Sequence, residues 1–362
     1  MQLSSACVAA MVLVCMTSSA SAGDGEVTVS SAYYKERSTR VIQPMVDASM
    51  ELDGGGELRA HTLLDAITSA SPASGAAGQA FDEQRYELGS SYLHRLGVFR
   101  FGGGFRFSDE PDYQSFFVLA RGSAELAQRN TTIGLTLARG FDDISNAGAQ
   151  GGISQEISGE MDTTLASVVL SQILTPTIVA SLTYDFIYVS GFQENAYRQV
   201  VAGGVLEAER IPDQRYRNAV FGSLRGFVPT TRTTLMAGYR FYTDDWGIRG
   251  HTPEARVTQE IIPGIDLEAR YRFHGQTRAD FYREIYDSND PDEEPFLTAD
   301  PKLSALRTHV IGGKLSMSLR HLGLSGKLGE GRGVALFEYY AQNTQFGDGV
   351  AAQLAVSLPF AF

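Results

Sequence analysis

The chain has 362 residues, with 42 acidic and 30 basic side chains and a formal net charge of −12. That balance excludes a basic nucleic-acid-binding surface. Hydrophobic content of 43%, with 38 glycines, 20 phenylalanines, 16 tyrosines and one tryptophan, fits many short strands joined by glycine-rich turns.

Residues 1–22 read as a signal peptide. Ala6 to Met16 is a short apolar run, and Ala20-Ser21-Ala22 fits a cleavage site, although no Lys or Arg precedes the run. Cys7 and Cys15 both fall in this segment, and Val14 before Cys15 disfavours a lipid-modified cysteine. Residues 23–362 are therefore expected to have neither disulfides nor Cys-ligated zinc. They contain no apolar run of the ~18 residues that a spanning helix needs.

The remainder is expected to be one all-β domain. Tight turns are predicted at Asp53-Gly-Gly-Gly56, His94-Arg-Leu-Gly97, Ala127-Gln-Arg-Asn130, Thr175-Pro176, Val228-Pro-Thr-Thr231 and Ile262-Pro-Gly264. Longer connections are predicted near 69–81, 142–157, 190–214, 243–251 and 275–303. Between them lie strand-like segments such as Phe99 to Phe107, Thr177 to Tyr188 and Thr233 to Tyr242. The clearest is Ile265 to His274: Ile265, Leu267, Ala269, Tyr271 and Phe273 face one way, and Asp266, Glu268, Arg270, Arg272 and His274 the other. Five ionisable residues behind an apolar row suit a wet lumen behind a lipid-facing wall. A soluble β-sandwich or solenoid would show the same alternation with less regular polarity.

Gly102-Gly-Gly104, inside a strand, reads as a close backbone approach and not as a phosphate cradle, since no helix follows. The stretch His321 to Gly333 is glycine-rich and reads as a longer turn or a bulge. The chain closes on Val350, Leu354, Val356, Leu358, Phe360 and Phe362 at one parity, with small and polar residues at the other. A terminal strand of this kind belongs to an outer-membrane barrel. The prediction is a transmembrane antiparallel β-barrel of about 16 strands, termini periplasmic, in the cell outer membrane. Phe105 and Phe107, Tyr184 to Tyr188, Tyr239 to Tyr242, Tyr271 and Phe273, and Phe337 to Tyr340 are expected to form its outer aromatic girdle.

Four segments carry a resemblance. They are Asp65-Ala-Ile-Thr-Ser-Ala-Ser-Pro72, His251-Thr-Pro-Glu254 after Asp244-Asp-Trp246, Arg270-Tyr-Arg272 with Ala279-Asp-Phe-Tyr282, and Thr298-Ala-Asp300 with Leu303-Ser304. Together they resemble the bacterial family known as domain of unknown function 3570, with departures at Ser69 and His274-Gly275. The resemblance implies an outer-membrane barrel and supplies no catalytic or ligand residues.

No enzymatic activity is assigned. The six histidines, at 61, 94, 251, 274, 309 and 321, show no metal-ligand spacing. His94 and His321 read as solvated turn residues, and His251 as a partner for a loop carboxylate. No cofactor or metal site is predicted. The acidic run Asp287 to Glu294 lacks the glycine and distal glutamate of an EF-hand loop and reads as a solvated loop. Arg100, Arg106, Arg240, Asp266, Glu268, Arg270 and Arg272 are the candidate lumen-lining residues. In a barrel of this size they would bias which solutes pass. The function expected is a passive channel for small polar solutes. The alternatives are an occluded structural or partner-binding barrel and, behind it, a barrel-wall hydrolase. Expected partners are outer-membrane lipid and lipopolysaccharide, the barrel-insertion machinery and small polar solutes, with no nucleic acid.

Overall fold

The computed structural model describes residues 22–37, 39–69, 81–145, 158–195 and 198–361. The expected signal segment up to residue 21, the loop residues 70–80 and 146–157, and Phe362 lie outside the described residues.

Alternating side chains drive the chain into long antiparallel strands, sixteen of which close into a barrel. The first half contains β1 (Ala22–Lys35), β2 (Thr39–Leu52), β3 (Gly56–Ser69), β4 (Phe81–Leu96), β5 (Phe99–Asp109), β6 (Tyr113–Leu126), β7 (Thr131–Ser145), β8 (Ser158–Thr175) and β9 (Ile178–Gly191). A loop then carries two short strands outside the barrel, β10 (Gln199–Ala202) and β11 (Val205–Ala208). The barrel resumes with β12 (Gln214–Val228), β13 (Thr233–Asp244), β14 (Arg249–Ile262) and β15 (Ile265–Gln276). After the two-residue β16 (Ile285–Tyr286), it finishes with β17 (Leu306–Ser318), β18 (Arg332–Gln342) and β19 (Gly349–Ala361). The seam pairs β1 with β19, from Asp24↔Ala361 to Lys35↔Val350, so no barrel edge is left open.

Short turns gather at one rim, at 53–55, 97–98, 127–130, 176–177, 229–232 and 263–264, together with the ends of β1 and β19. The stretch after β17 is the longer turn expected there. A 3-10 turn (Leu319–Leu322) and a short helix α1 (Gly326–Glu330) bridge β17 to β18.

At the opposite rim, the connection expected to be long at 243–251 is only the turn 245–248 between β13 and β14. Asp244 closes it. Its Oδ1 accepts from the Ile248 N–H at 2.9 Å while the backbones of Asp244 and Ile248 also pair. His94, expected in a turn, lies within β4 and is held by the Tyr92 hydroxyl at 3.0 Å from Nδ1. The turn is displaced to Gly97, whose φ of +62° is left-handed. The close approach expected at Gly102 is present: a Cβ there would lie 2.0 Å from the Tyr92 carbonyl oxygen.

The outer face is a continuous apolar belt. Leu135 and Leu137 on β7, Leu182 on β9, Leu235 on β13, Leu267 on β15, Ile311 on β17 and Leu354 on β19 are all exposed. Phe105, Phe107, Tyr184, Tyr239, Tyr271, Phe337 and Tyr339 stand on the same face towards the long-loop rim. Two of the expected girdle residues do not join them. Tyr242 and Tyr340 have the opposite parity and turn inward, donating to Asp244 at 2.8 Å and to Glu338 at 2.7 Å.

The long loops after β9 and β15 fold together over one wall. β10 pairs with β11 and with β16, and Val200, Ala202, Tyr286 and Leu297 are buried beneath this sheet. A second cluster joins Ile211, Trp246, Ile248, Ala279 and Leu303. Trp246 donates its indole N–H to the Gln214 carbonyl at 2.9 Å and lies 4.1 Å from the guanidinium of Arg215 on the inner face. This loop module therefore reaches over the inner wall at β12 and β13.

Candidate functional site: the inner wall

Arg100, Arg106, Arg240, Asp266, Glu268, Arg270 and Arg272 all stand at the parity opposite to the exposed apolar residues of their own strands. Six of the seven take an opposite charge from a strand one or two places along the barrel. Arg100 reaches Glu125 at 3.4 Å, Arg106 reaches Glu87 at 3.0 Å, and Arg240 reaches Asp185 at 3.8 Å. Glu268 pairs with Lys314 at 3.2 Å and Asp266 with Arg332. Arg270 is held on both sides, at 3.0 Å from Glu254 and 2.6 Å from Glu338. Arg272 makes no ion pair among the described residues.

The partners Glu87, Glu125, Asp185, Glu254, Lys314, Arg332 and Glu338 were not singled out from sequence. The inward parity that marks Arg270 also marks them, once each strand's register is known. Arg121, on the inner face of β6, was also missed and makes no ion pair among the described residues.

The inner wall is uneven. The charges of Arg215 on β12, Asp244 on β13 and Arg270 on β15 are packed: Asp244 is fully enclosed, Arg215 is 11% exposed and Arg270 20%. Around β2 to β6 they are wet, with Arg106 60% and Asp47 51% exposed. A cavity of about 720 Å³ opens there, lined by Asp47, Arg59, His61, Ser91, Arg106 and Arg121 among others. Paired charges facing open space at this side impose a transverse field on whatever occupies the lumen.

The histidines sort by face. On the outer face His251 bonds the Tyr239 hydroxyl at 2.5 Å, in place of the loop carboxylate expected, and His309 bonds Tyr271 at 2.9 Å. A Phe ring lies tilted beside each of these imidazoles, Phe241 at 5.2 Å and Phe273 at 5.0 Å between centroids. This satisfies a polar ring on a lipid-type surface. On the inner face His61 sits between Asp47 at 2.7 Å and Glu87 at 3.6 Å, and His274 bonds Thr252 at 2.8 Å.

Carboxylates also gather at the long-loop rim. Glu83, Glu110 and Asp112 bring ligand oxygens within 4.8 Å of one another. Burial, more than its acidic neighbours, pushes the Glu110 carboxyl above its ordinary range. In the run Asp287 to Glu294, Asp290 accepts from the Asp292 N–H at 2.9 Å, so its side chain shapes the turn.

These features define a closed sixteen-strand antiparallel β-barrel with an apolar outer belt and a charged inner wall. Residues 78–358 match the family described as "Protein of unknown function (DUF3570)", and the chain belongs to that family. No curated protein matches the chain. Among solved structures, it is similar to a BenF-like porin from Pseudomonas fluorescens Pf-5, at 10% identity and TM-score 0.49, over 94% of this chain and 99% of that one. It is similar to OpdK from Pseudomonas aeruginosa, solved with vanillate, at 11% identity and TM-score 0.48, over 94% and 99% of the two chains. It is also similar to CdiB from Acinetobacter baumannii, at 8% identity and TM-score 0.49, over 93% of this chain and 60% of that one. At these identities no residue is carried over from one chain to another.

Proposed function

We propose that the protein is a passive channel for small polar solutes, set in a bacterial outer membrane with its short turns and both barrel ends in the periplasm. Strands of 11 to 18 residues meet or exceed the ~9–11 needed to cross a bilayer. The apolar belt meets the requirement that lipid-facing residues carry no unmet polar groups. The observation that carries the channel reading is the wet half of the inner wall. Arg106 and Asp47 are more than half exposed beside a cavity of about 720 Å³, which a packed polar plug would have filled.

Solutes would be small and hydrated, because the cavity presents the charges of Asp47, Arg59, Arg106 and Arg121 and the hydroxyls of Thr28, Ser49, Ser90 and Ser91. Arg121 and Arg272 on the inner face make no ion pair among the described residues, which supports a mild preference for anions despite the chain's net negative charge. No enzymatic reaction is assigned.

The test is a planar-bilayer recording on refolded protein under a salt gradient. The expected result is stepwise conductance with a reversal potential on the anion side, moved towards cations by Arg106→Ala with Arg121→Ala. Correctly folded protein that conducts nothing would overturn the reading in favour of an occluded, partner-binding barrel.

A further inference from the structure

The turn between β17 and β18 is the long exception among the short turns, and it does not hang below the barrel. Leu319 continues the outward parity of Leu315 and Met317, and it is 6% exposed. What covers it is the outer wall. A Cβ built at Gly331 would lie 2.8 Å from both Leu319 and Leu358 side-chain atoms, and one at Gly333 would lie 3.6 Å from Leu319. Gly333 and Leu358 belong to the lipid-type face, since Gly333 is opposite Val356 and Leu358 follows Val356 at the same parity. The two glycines thus make a shallow seat on the outer surface, and the turn folds back into it. The Leu319 N–H donates to the Gly331 carbonyl at 2.9 Å, and His321 Nε2 donates to the Pro263 carbonyl of the neighbouring turn at 3.0 Å.

Folded this way, the segment presents Leu322, Leu324 and Leu328, which are 61%, 41% and 54% exposed. Exposed Ile261 and Ile262 end β14, next to the turn at Pro263 that His321 touches. Basic groups are interspersed: Arg320, 3.5 Å from Glu330, and Lys327, which makes no ion pair among the described residues. Three exposed leucines within seven residues would be a liability in water. They become favourable where the segment is continuous with an apolar belt already in lipid. Leucines then enter the acyl boundary while lysine and arginine extend to the phosphates.

We propose that residues 319–331 form an amphipathic foot that lies in the headgroup–acyl boundary of the phospholipid leaflet at the short-turn rim. Its occupant is the phospholipid itself. The argument rests on the barrel's being in a membrane, and on Leu319's being seated on the outer wall.

The chain's only cysteines are Cys7 and Cys15, so single cysteines can be placed on protein that begins after residue 22. Nitroxides at Leu322→Cys, Leu324→Cys and Leu328→Cys, in refolded barrel in phospholipid vesicles, are compared with Leu354→Cys on the belt and Asp53→Cys in a short turn. Collisions with dissolved oxygen and with a water-soluble nickel chelate are then measured. The expected result is that all three foot positions resemble Leu354, favouring oxygen severalfold over the chelate, while Lys327→Cys resembles Asp53. Foot leucines that behave like Asp53 while Leu354 stays in lipid would overturn the proposal and indicate a water-exposed surface for a periplasmic protein. A water-accessible Leu354 would overturn the membrane reading itself. Should a cysteine variant not fold, Leu324→Trp with Trp246→Phe, read by quenching with brominated phospholipid, decides the same question. Loss of emission supports the foot, and unquenched emission refutes it.

Discussion

Arg106 on β5 and Arg270 on β15 are both inward arginines bonded to carboxylates, yet they occupy different environments. Arg106 holds one partner, Glu87, and is 60% exposed; Arg270 is shared by Glu254 and Glu338 and is 20% exposed. The difference follows from what lies beside each wall. Near β5 the neighbours include Gly89, Gly102 and Gly104, which bring backbones together and put no side chain of their own into the lumen. Near β15 the inner face carries Arg256, Arg272 and Tyr340, and the loop module extends over the adjoining β12 and β13. Identical ion pairs therefore serve as a water-facing field on one side and as packing on the other.

The largest expected effect separates the two walls directly. Arg270→Ala strips two enclosed carboxylates of their shared cation and should cost about 3–5 kcal/mol. Arg106→Ala removes a solvent-screened pair and should cost under about 1 kcal/mol. A urea refolding titration of both variants gives the comparison, and equal losses would mean that the walls do not differ. Next, the packing of β15 should not make it indiscriminately fragile. Leu267→Arg, on its lipid side, should cost about 2–4 kcal/mol if it lies near the midplane. Glu268→Gln, one residue along and facing partly exposed Lys314, should cost far less in the same titration.

The smallest effect concerns the module beside the packed wall. Burial there pushes the Glu209 carboxyl above its ordinary value, against the opposing pull of Arg198. The folded module thus binds that proton more tightly than the unfolded chain does. This group's contribution to stability should rise as pH falls through its raised value towards the usual 4.5. Trp246, the single tryptophan, sits in this module and reports it alone. The urea midpoint of its fluorescence should shift upward on mild acidification, and Glu209→Gln should abolish that part of the shift.

Parity makes the barrel readable in the sequence. Ile265 to His274 shows its two faces within ten residues, and the turns at Asp53, Ala127 and Ile262 mark one rim with Gly, Asn or Pro chemistry. Where parity was set aside for position along the strand, the reading slipped: Tyr242 and Tyr340 are late in their strands, as the girdle requires, but on the inner face. Partners were not legible, because Arg270 finds Glu254 and Glu338 at sequence separations of 16 and 68. The loop module was hidden for a related reason. Its two clusters draw single residues from Val200, Ile211, Trp246, Tyr286 and Leu303, and no periodic pattern links residues so far apart.

The seam bears on how far the ring of strands can deform. Twelve residue pairs join β1 to β19 from Asp24 to Lys35, and every other barrel strand is paired on both sides. Widening such a ring would break a full ladder of hydrogen bonds in a medium that offers no replacements. The staves cannot act as a gate, so the bore is fixed by closure of the ring. Any moving part has to be built from what hangs off the ring, and the loops after β9 and β15, joined by the sheet of β10, β11 and β16 over Val200, Ala202, Tyr286 and Leu297, are such a part.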